Sequence, residues 1–203
     1  MLYLASQSPQ RALLLTRASI VFSLADSRCD EDAIRHSIPQ VLALERARGK
    51  ARGAVLDVAQ LASASAVALG ADTVVALGQT AFGKPRDRAD AERILGCLQG
   101  TTHSVFTGHC CVRFAADGSV ASEAAALTQA KITMRPLSTE EIRAYVVSGE
   151  SDGRAGAYAI QEHGDRFVID LQGSWDTVVG LNVATAARLY QECTDVWPEG
   201  YRP

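Results

Sequence analysis
Apolar and polar positions change period several times along the chain, and each change marks an element. Leu2–Ala5 is a short apolar run followed by Ser6-Gln7-Ser8-Pro9 and then by Ala12, Leu13, Leu14 and Leu15. This predicts a strand over 2–5 and a helix from Pro9 to about Ala18, with Ser8 at the N-cap and Pro9 at the first helical position. A second short strand is expected over Ile20–Leu24, an acidic loop over Asp26–Asp32, and a helix from near Pro39 to about Val55. The stretch 62–66 reads as a loop. Residues Ala66–Leu77 read as extended, with Gly70 a weak point, before a turn at Gly78-Gln79 and a return strand ending at Phe82. Asp87 caps a helix to about Leu98, where Ala91, Ile94, Leu95 and Leu98 recur at helical spacing. Strands are expected over His103–Phe114, Val120–Thr128 and Ala130–Met134, the first two around an Asp117-Gly118 turn. Ser138-Thr139-Glu140-Glu141 is a capping box opening a helix to Val147. After a glycine-rich loop come strands at Tyr158–Ile160 and Phe167–Leu171, and a last helix from about Asn182. Helices and strands mix without strict alternation, which predicts an α/β fold on a mixed, twisted sheet with its ligand crevice at strand ends.

Composition narrows the classes. With 47% hydrophobic and 21% charged residues in 203, the chain reads as an ordinary soluble globular protein. A net charge of −3, with no basic, aromatic-rich stretch, speaks against a nucleic-acid partner. The longest apolar region, Leu61–Leu77, is mostly alanine and broken by Asp72, so no membrane association is expected. The start of the chain lacks the pattern of a signal peptide, and the cytoplasm is the expected compartment. Cys29, Cys97, Cys110, Cys111 and Cys193 form no C-x-x-C and read as thiols, with Cys110 and Cys111 on opposite faces of one strand.

Several positions could carry chemistry. Asp72 is a lone carboxylate in an apolar strand, so it must be paired, bound to a metal, or placed at a strand end facing a cleft. Ser6, Ser8 and Arg11 surround a helix N-terminus, which is either ordinary capping or a phosphate cradle. Gly83-Lys84-Pro85 is no Walker loop, because Pro85 bars the lysine from opening a helix; it reads as a stiff turn holding one ammonium. Glu31, within Asp30-Glu31-Asp32, sits in either a solvated run or a site for a hard cation that also takes phosphate oxygens. Gly153-Arg154-Ala155-Gly156 reads equally as a phosphate clamp or a mobile turn. The four histidines are scattered and are assigned no role. Together these residues supply cations for an anion, carboxylates for a metal and a water, and glycines for close approach, which is the equipment of phosphoryl chemistry.

The order SQSPQRALL, DED, LALERA, GADTVV, GKPRD, FTGH, LSTEEIRAYVVSGE, RAGAYAIQ and GSWDTVVGL resembles the Maf family of nucleoside triphosphate pyrophosphatases, over residues 2–190. The resemblance implies one Maf-like domain over 1–203. Its sheet would be elongated, with two lobes around a deep cleft as in inosine triphosphate pyrophosphatases, and a homodimer is expected. It implies hydrolysis of the α–β bond of a nucleoside triphosphate with Mg²⁺ or Mn²⁺. Ser6, Ser8 and Arg11 would hold the triphosphate, and Arg154 would face it from the late loop. Glu31, Asp72 and Asp87 would serve the metal, with Asp72 also the proton acceptor, and Lys84 would contact phosphate. Thr73 and Gln161 would help select the base. The family's helix lysine falls on Arg46 if LALERA is matched, the preferred register because Leu42 and Ala43 then fit, or on Lys50 if GKA is used. Gln10 replaces an arginine linked to substrate choice, Gly153 replaces an acidic residue and Glu162 a glycine. AYAIQ resembles the branch acting on dTTP and UTP. A 7-methyl-GTP pyrophosphatase and a non-catalytic, nucleotide-binding regulator of cell division are the alternatives.

Overall fold
The computed structural model describes residues 1–62, 66–161 and 163–203, without the side chain of His163, so most of the loop expected over 62–66 lies outside the described residues. Strand β1 (Leu2–Leu4) is buried along its whole length because it lies between two parallel neighbours, β2 (Phe22–Leu24) and β3 (Val67–Leu77). The rest of the sheet is antiparallel. β3 pairs with β4 (Thr80–Phe82) and β5 (Thr102–Phe114), β5 with β6 (Val120–Met134), and β6 with β7 (Val168–Gln172). The order is β2-β1-β3-β5-β6-β7, with β4 on β3, so the expected mixed α/β sheet is present.

One edge of β3 is shared. β5 pairs with the other edge from Val67 to Ala76, while β1 takes residues 67–69 and β4 takes residues 75–77. Between β1 and β4 the edge of β3 has no strand partner among the described residues from Gly70 to Val74, and Asp72 and Thr73 lie in that gap. The crevice therefore opens at the end of β1 and beside the middle of β3.

The two faces of β3 are covered differently. Ala68, Gly70, Asp72, Val74 and Ala76 share one face by the two-residue period of a strand. Helix α2 (Pro39–Arg52) covers it with its buried residues Leu42, Ala43, Ala47 and Ala51. Gly70 is no weak point here. A Cβ there would run into the carbonyl oxygen of Ala47, and one at Gly108 on β5 would meet the carbonyl of Ala43. Alanines on the helix and glycines on the sheet bring α2 down onto the strands.

On the opposite face there are two cores. α1 (Pro9–Arg17) and α7 (Val183–Thr194) pack with Leu2, Leu4, Val67, Leu69 and Ala71. α4 (Arg88–Leu98) and α5 (Thr139–Val147) pack with Val75, Val105, Ile132 and Met134. Thr73 falls between Ala71 and Val75, at the seam of the two. Cys110 and Cys111 take opposite faces, Cys110 in the α2 core and Cys111 in the α1/α7 core.

Several expectations need correction. β6 is one strand, because its ladder with β5 runs unbroken past Gln129, which pairs with Phe106. Residues 158–160 form no strand; the Ala159 N–H donates to the Tyr145 hydroxyl at 3.0 Å, after a tight turn with Gly156 at φ +74° and Ala157 at φ +60°. The short helices α3 (Val58–Leu61) and α6 (Trp175–Val179) were not expected. Among the described residues no helix is long and apolar enough to cross a membrane.

The close approach of α2 is testable. Gly70→Ala should destabilise the protein by about 1–3 kcal/mol, the usual cost of overpacking, because helix backbone and not a pliable side chain blocks the new methyl. Thermal denaturation by circular dichroism measures it, and a variant as stable as the parent would contradict this packing.

Candidate functional site
The gap in β3 opens into a cleft of about 900 Å³. It is lined by Ser6, Ser8, Gln10 and Arg11 from the first junction, Glu31 from the acidic loop, and Arg46 and Lys50 from α2. Asp72 and Thr73 of β3, Lys84 of the stiff turn, and Arg154 and Gln161 of the late loop line it as well. Asp87 is not among the lining residues. Its carboxylate accepts the Asp90 N–H at 2.8 Å as the N-cap of α4, the capping role its position in the sequence suggests.

Lys50 is the centre of the polar network. Its ammonium donates to Asp72 Oδ1 at 2.6 Å and pairs with Glu31 on the other side. Lys84 reaches the same Glu31 at 3.2 Å. Arg46 also lines the cleft, but its Nε donates to the Ile34 carbonyl at 3.4 Å, and among the described residues it forms no hydrogen bond or ion pair with Asp72 or Glu31. Arg46 and Lys50 are four residues apart on one helix face, and the second is the one level with Asp72. Burial alone would raise the Glu31 pKa, but the hydrogen bond and charge of Lys50, with the charge of Lys84, outweigh it and hold the carboxyl at about 2. Asp72 is 6% exposed, and its Oδ2 is buried with no hydrogen-bond partner among the described residues.

Arg11 is placed by three contacts. Its Nε donates to the Gly180 carbonyl at 2.8 Å, one terminal nitrogen to Ser6 Oγ at 3.0 Å, and the other to Thr73 Oγ1 at 3.5 Å. Burial pulls the guanidinium pKa down, and the charges of Asp72 and Glu31 oppose that. Ser8 is the N-cap of α1, but its side chain makes no capping bond, so the hydroxyl is not spent on the helix. Arg154 donates from Nε to the Glu150 carbonyl at 3.0 Å.

The hydroxyl of Thr73 has a fixed direction. Thr107 Oγ1 donates to the Thr177 carbonyl at 2.7 Å, so it must accept from Thr73 Oγ1, 3.0 Å away. Thr73 therefore spends its proton on Thr107 and presents lone pairs towards Arg11. The chain Arg11–Thr73–Thr107–Thr177 crosses the seam between the two cores and ties the guanidinium to α6. Thr107, Thr177 and Gly180 were not singled out in the sequence, where they are small residues in FTGH and WDTVVGL with nothing local to mark them. His109 also serves the frame: burial holds its pKa near 4, and its Nε2 accepts the Asn182 N–H at 2.8 Å at the start of α7.

The donor set fits a hard divalent cation. Mg²⁺ takes one or two carboxylates and completes its shell with water and phosphate oxygens. The unpartnered Oδ2 of Asp72 beside Glu31 offers that much, although no group of three or more potential ligands is found among the described residues.

A cleft at a gap in a mixed sheet, where lysines and arginines stand around Asp72 and Glu31, defines a binding site for a small polyanion such as a nucleotide phosphate chain. A family model described as Maf-like protein matches residues 1–193, and the chain belongs to the Maf family. Relatives named dTTP/UTP pyrophosphatase include one from Anaeromyxobacter sp. (strain Fw109-5), 40% identical over 188 residues, or 93% of this chain and 87% of that protein. Another, from Xanthomonas campestris pv. campestris, is 39% identical over 93% of this chain and 96% of its own length. A third, from Moorella thermoacetica, is 38% identical over 97% of both.

Two outcomes follow from the geometry. The depressed Glu31 pKa means its ion pairs contribute stability fully above its ordinary pKa of 4.5 and lose it as pH falls towards about 2. The difference in melting temperature between the parent and Glu31→Gln should be constant above that window and close within it. For Thr107, replacement by valine should weaken binding of inorganic tripolyphosphate on the order of tenfold, the scale of one lost buried hydrogen bond, while Thr107→Ser restores it. Calorimetry reads the affinity, and equal affinities for the valine and serine variants would remove the positioning role.

Proposed function
We propose that the chain is a nucleoside triphosphate pyrophosphatase that hydrolyses the α–β phosphoanhydride of dTTP and UTP, releasing the nucleoside monophosphate and pyrophosphate. The observation that carries this is the buried, unpartnered Oδ2 of Asp72, a residue that lines the cleft together with the charged Lys50, Lys84, Arg11 and Glu31. The names of the relatives support the substrate class.

Asp72 Oδ2 accepts the proton of a water whose oxygen forms the new bond to one phosphorus of the α–β bridge. The bridging P–O bond breaks, and its electron pair leaves with the departing phosphate. Lys50, Lys84 and Arg11 hold the phosphate oxygens and neutralise the charge that builds on them. Glu31 and Asp72 would hold Mg²⁺ or Mn²⁺, which when bound supplies further charge neutralisation on the phosphates. Lys50 bridges the two carboxylates without substrate and turns to phosphate when the triphosphate enters, so the carboxylates are not left as uncompensated neighbours beforehand. We infer a cytoplasmic enzyme, since its cysteines read as thiols of a reducing compartment, and, as the family resemblance implies, a homodimer.

Asp72→Asn keeps shape and hydrogen bonding but cannot take the proton. With the fold verified by circular dichroism, kcat on UTP should fall on the order of 10²- to 10⁴-fold. An unchanged kcat removes Asp72 from the reaction. The same assay across the common triphosphates and 7-methyl-GTP should show the highest kcat/KM on UTP and dTTP, with pyrophosphate as product. A preference for 7-methyl-GTP would replace the substrate class, and binding without any turnover would leave a regulator.

A further inference from the structure
The late loop of the cleft wall carries backbone strain. Gly156 and Ala157 follow one another at φ +74° and φ +60°, a region that an alanine adopts only at a cost. The Ala157 N–H donates to the Arg154 carbonyl at 3.1 Å, so residues 154–157 form one closed turn with Arg154 at its start. Such a conformation persists where its surroundings over-determine it, and here the loop is pinned from three sides. The Gly156 N–H donates to the Gly83 carbonyl at 3.1 Å, directly before Lys84. The Ala159 N–H is held by the Tyr145 hydroxyl of α5, whose ring stands edge-on to Phe167 at 4.9 Å. The third pin is a pair of side chains, His103 and Tyr158.

His103 Nε2 and the Tyr158 hydroxyl share a hydrogen bond of 2.9 Å, with the ring centroids 5.6 Å apart and the planes at 80°. His103 is 2% exposed and lies on the face of β5 that also carries Val105, within the core under α4 and α5. Burying an imidazole there is costly. Its Nδ1 has no hydrogen-bond partner among the described residues, and burial holds its pKa near 4. A leucine at this place would incur neither cost, so what the imidazole adds is its bond to Tyr158. Tyr158 lines the cleft with Val75 and Val105, whereas His103 is not among the lining residues. Tyr158 leaves the closed turn in extended form, so fixing its ring fixes the end of the turn that begins at Arg154.

We propose that His103 is a positioning residue for phosphate binding, acting through Tyr158 to hold the strained turn that sets Arg154 on the cleft wall. The assignment rests on the pyrophosphatase reading for the nature of the ligand, and adds to it a residue that reaches the phosphates only through two others. The Gly156 bond joins the same turn to the carbonyl before Lys84, so Arg154 and Lys84 share one backbone frame. A Cβ at Gly156 would meet the Val75 side chain at 2.9 Å, which leaves the turn no room to settle elsewhere on β3. Without the His103 bond the Tyr158 ring is free to shift, and the turn can relax its positive φ angles at the expense of the place of Arg154.

The test measures binding of inorganic tripolyphosphate by calorimetry and hydrolysis of UTP, on the full chain with its fold checked by circular dichroism. Tyr158→Phe removes one hydroxyl and keeps the ring. It should weaken tripolyphosphate binding on the order of tenfold, the scale of one lost buried hydrogen bond, and act on UTP chiefly through KM. His103→Leu should do the same, and the double variant no more than either alone. His103→Gln, whose amide can donate or accept at the same place, should recover most of the affinity. In an Arg154→Ala background Tyr158→Phe should cost no further affinity, a coupling that a mere loss of packing does not produce. Should His103→Leu fail to fold, Tyr158→Phe with and without Arg154 decides the matter. If Tyr158→Phe binds tripolyphosphate like the parent, or if its effect is undiminished without Arg154, His103 has no positioning role. Hydrolysis of UTP by the parent then leaves the pyrophosphatase reading standing. If the parent binds tripolyphosphate and hydrolyses no triphosphate, that reading fails and the coupling of Tyr158 to Arg154 is still decided by binding. If the parent binds no tripolyphosphate, the positioning role falls.

Discussion
The ammonium of Lys50 between the carboxylates of Asp72 and Glu31 is the interaction on which the cleft depends. Two carboxylates near a buried strand edge repel each other and lose hydration, and a single cation between them offsets both costs. That cation can reach Asp72 only because α2 lies unusually close to the sheet. The helix presents alanines at 43, 47 and 51, and the strands answer with Gly70 and Gly108, so backbone meets backbone with no side chains to hold them apart. A larger residue at any of these places would lift the helix and take Lys50 out of reach.

The opposite face of the sheet shows why the site is where it is. Two apolar cores, one under α1 and α7 and one under α4 and α5, meet at Thr73 and Thr107. A seam between cores is a place where polar groups can be kept, provided that each finds a partner. Here the hydroxyls of Thr73 and Thr107 and the carbonyls of Thr177 and Gly180 form a continuous path that ends on Arg11. The same path fixes the Thr73 hydroxyl, whose proton is committed to Thr107 and whose lone pairs are turned to the guanidinium.

The site residues were unevenly legible. Asp72 could be noticed because an ionisable group in an apolar strand demands a partner, and Lys84 because Pro85 stiffens its turn. The choice between Arg46 and Lys50 could not be made from spacing, since both lie on the same face one turn apart. Matching LALERA favours Arg46, but the level at which α2 crosses β3 puts Lys50 against Asp72. Asp87 carries two possible roles in sequence; the structure shows it capping α4 and does not bring it to the cleft wall. Thr177 and Gly180 had no local mark at all, because a five-residue helix leaves no periodicity to read.

By itself the sequence determined the local elements whose signals are local: the Pro9 start of α1, the Asp87 cap, the capping box before α5 and the long apolar run of β3. It also contained, in the order of its motifs, the family to which the chain belongs. Only the tertiary structure decided that β1 and β4 share one edge of β3 and leave a gap at Asp72, that β6 is a single strand, and that Lys50 is the bridging cation. These depend on contacts between residues far apart in the chain, where helix depth and strand register set distances that no short stretch of sequence encodes.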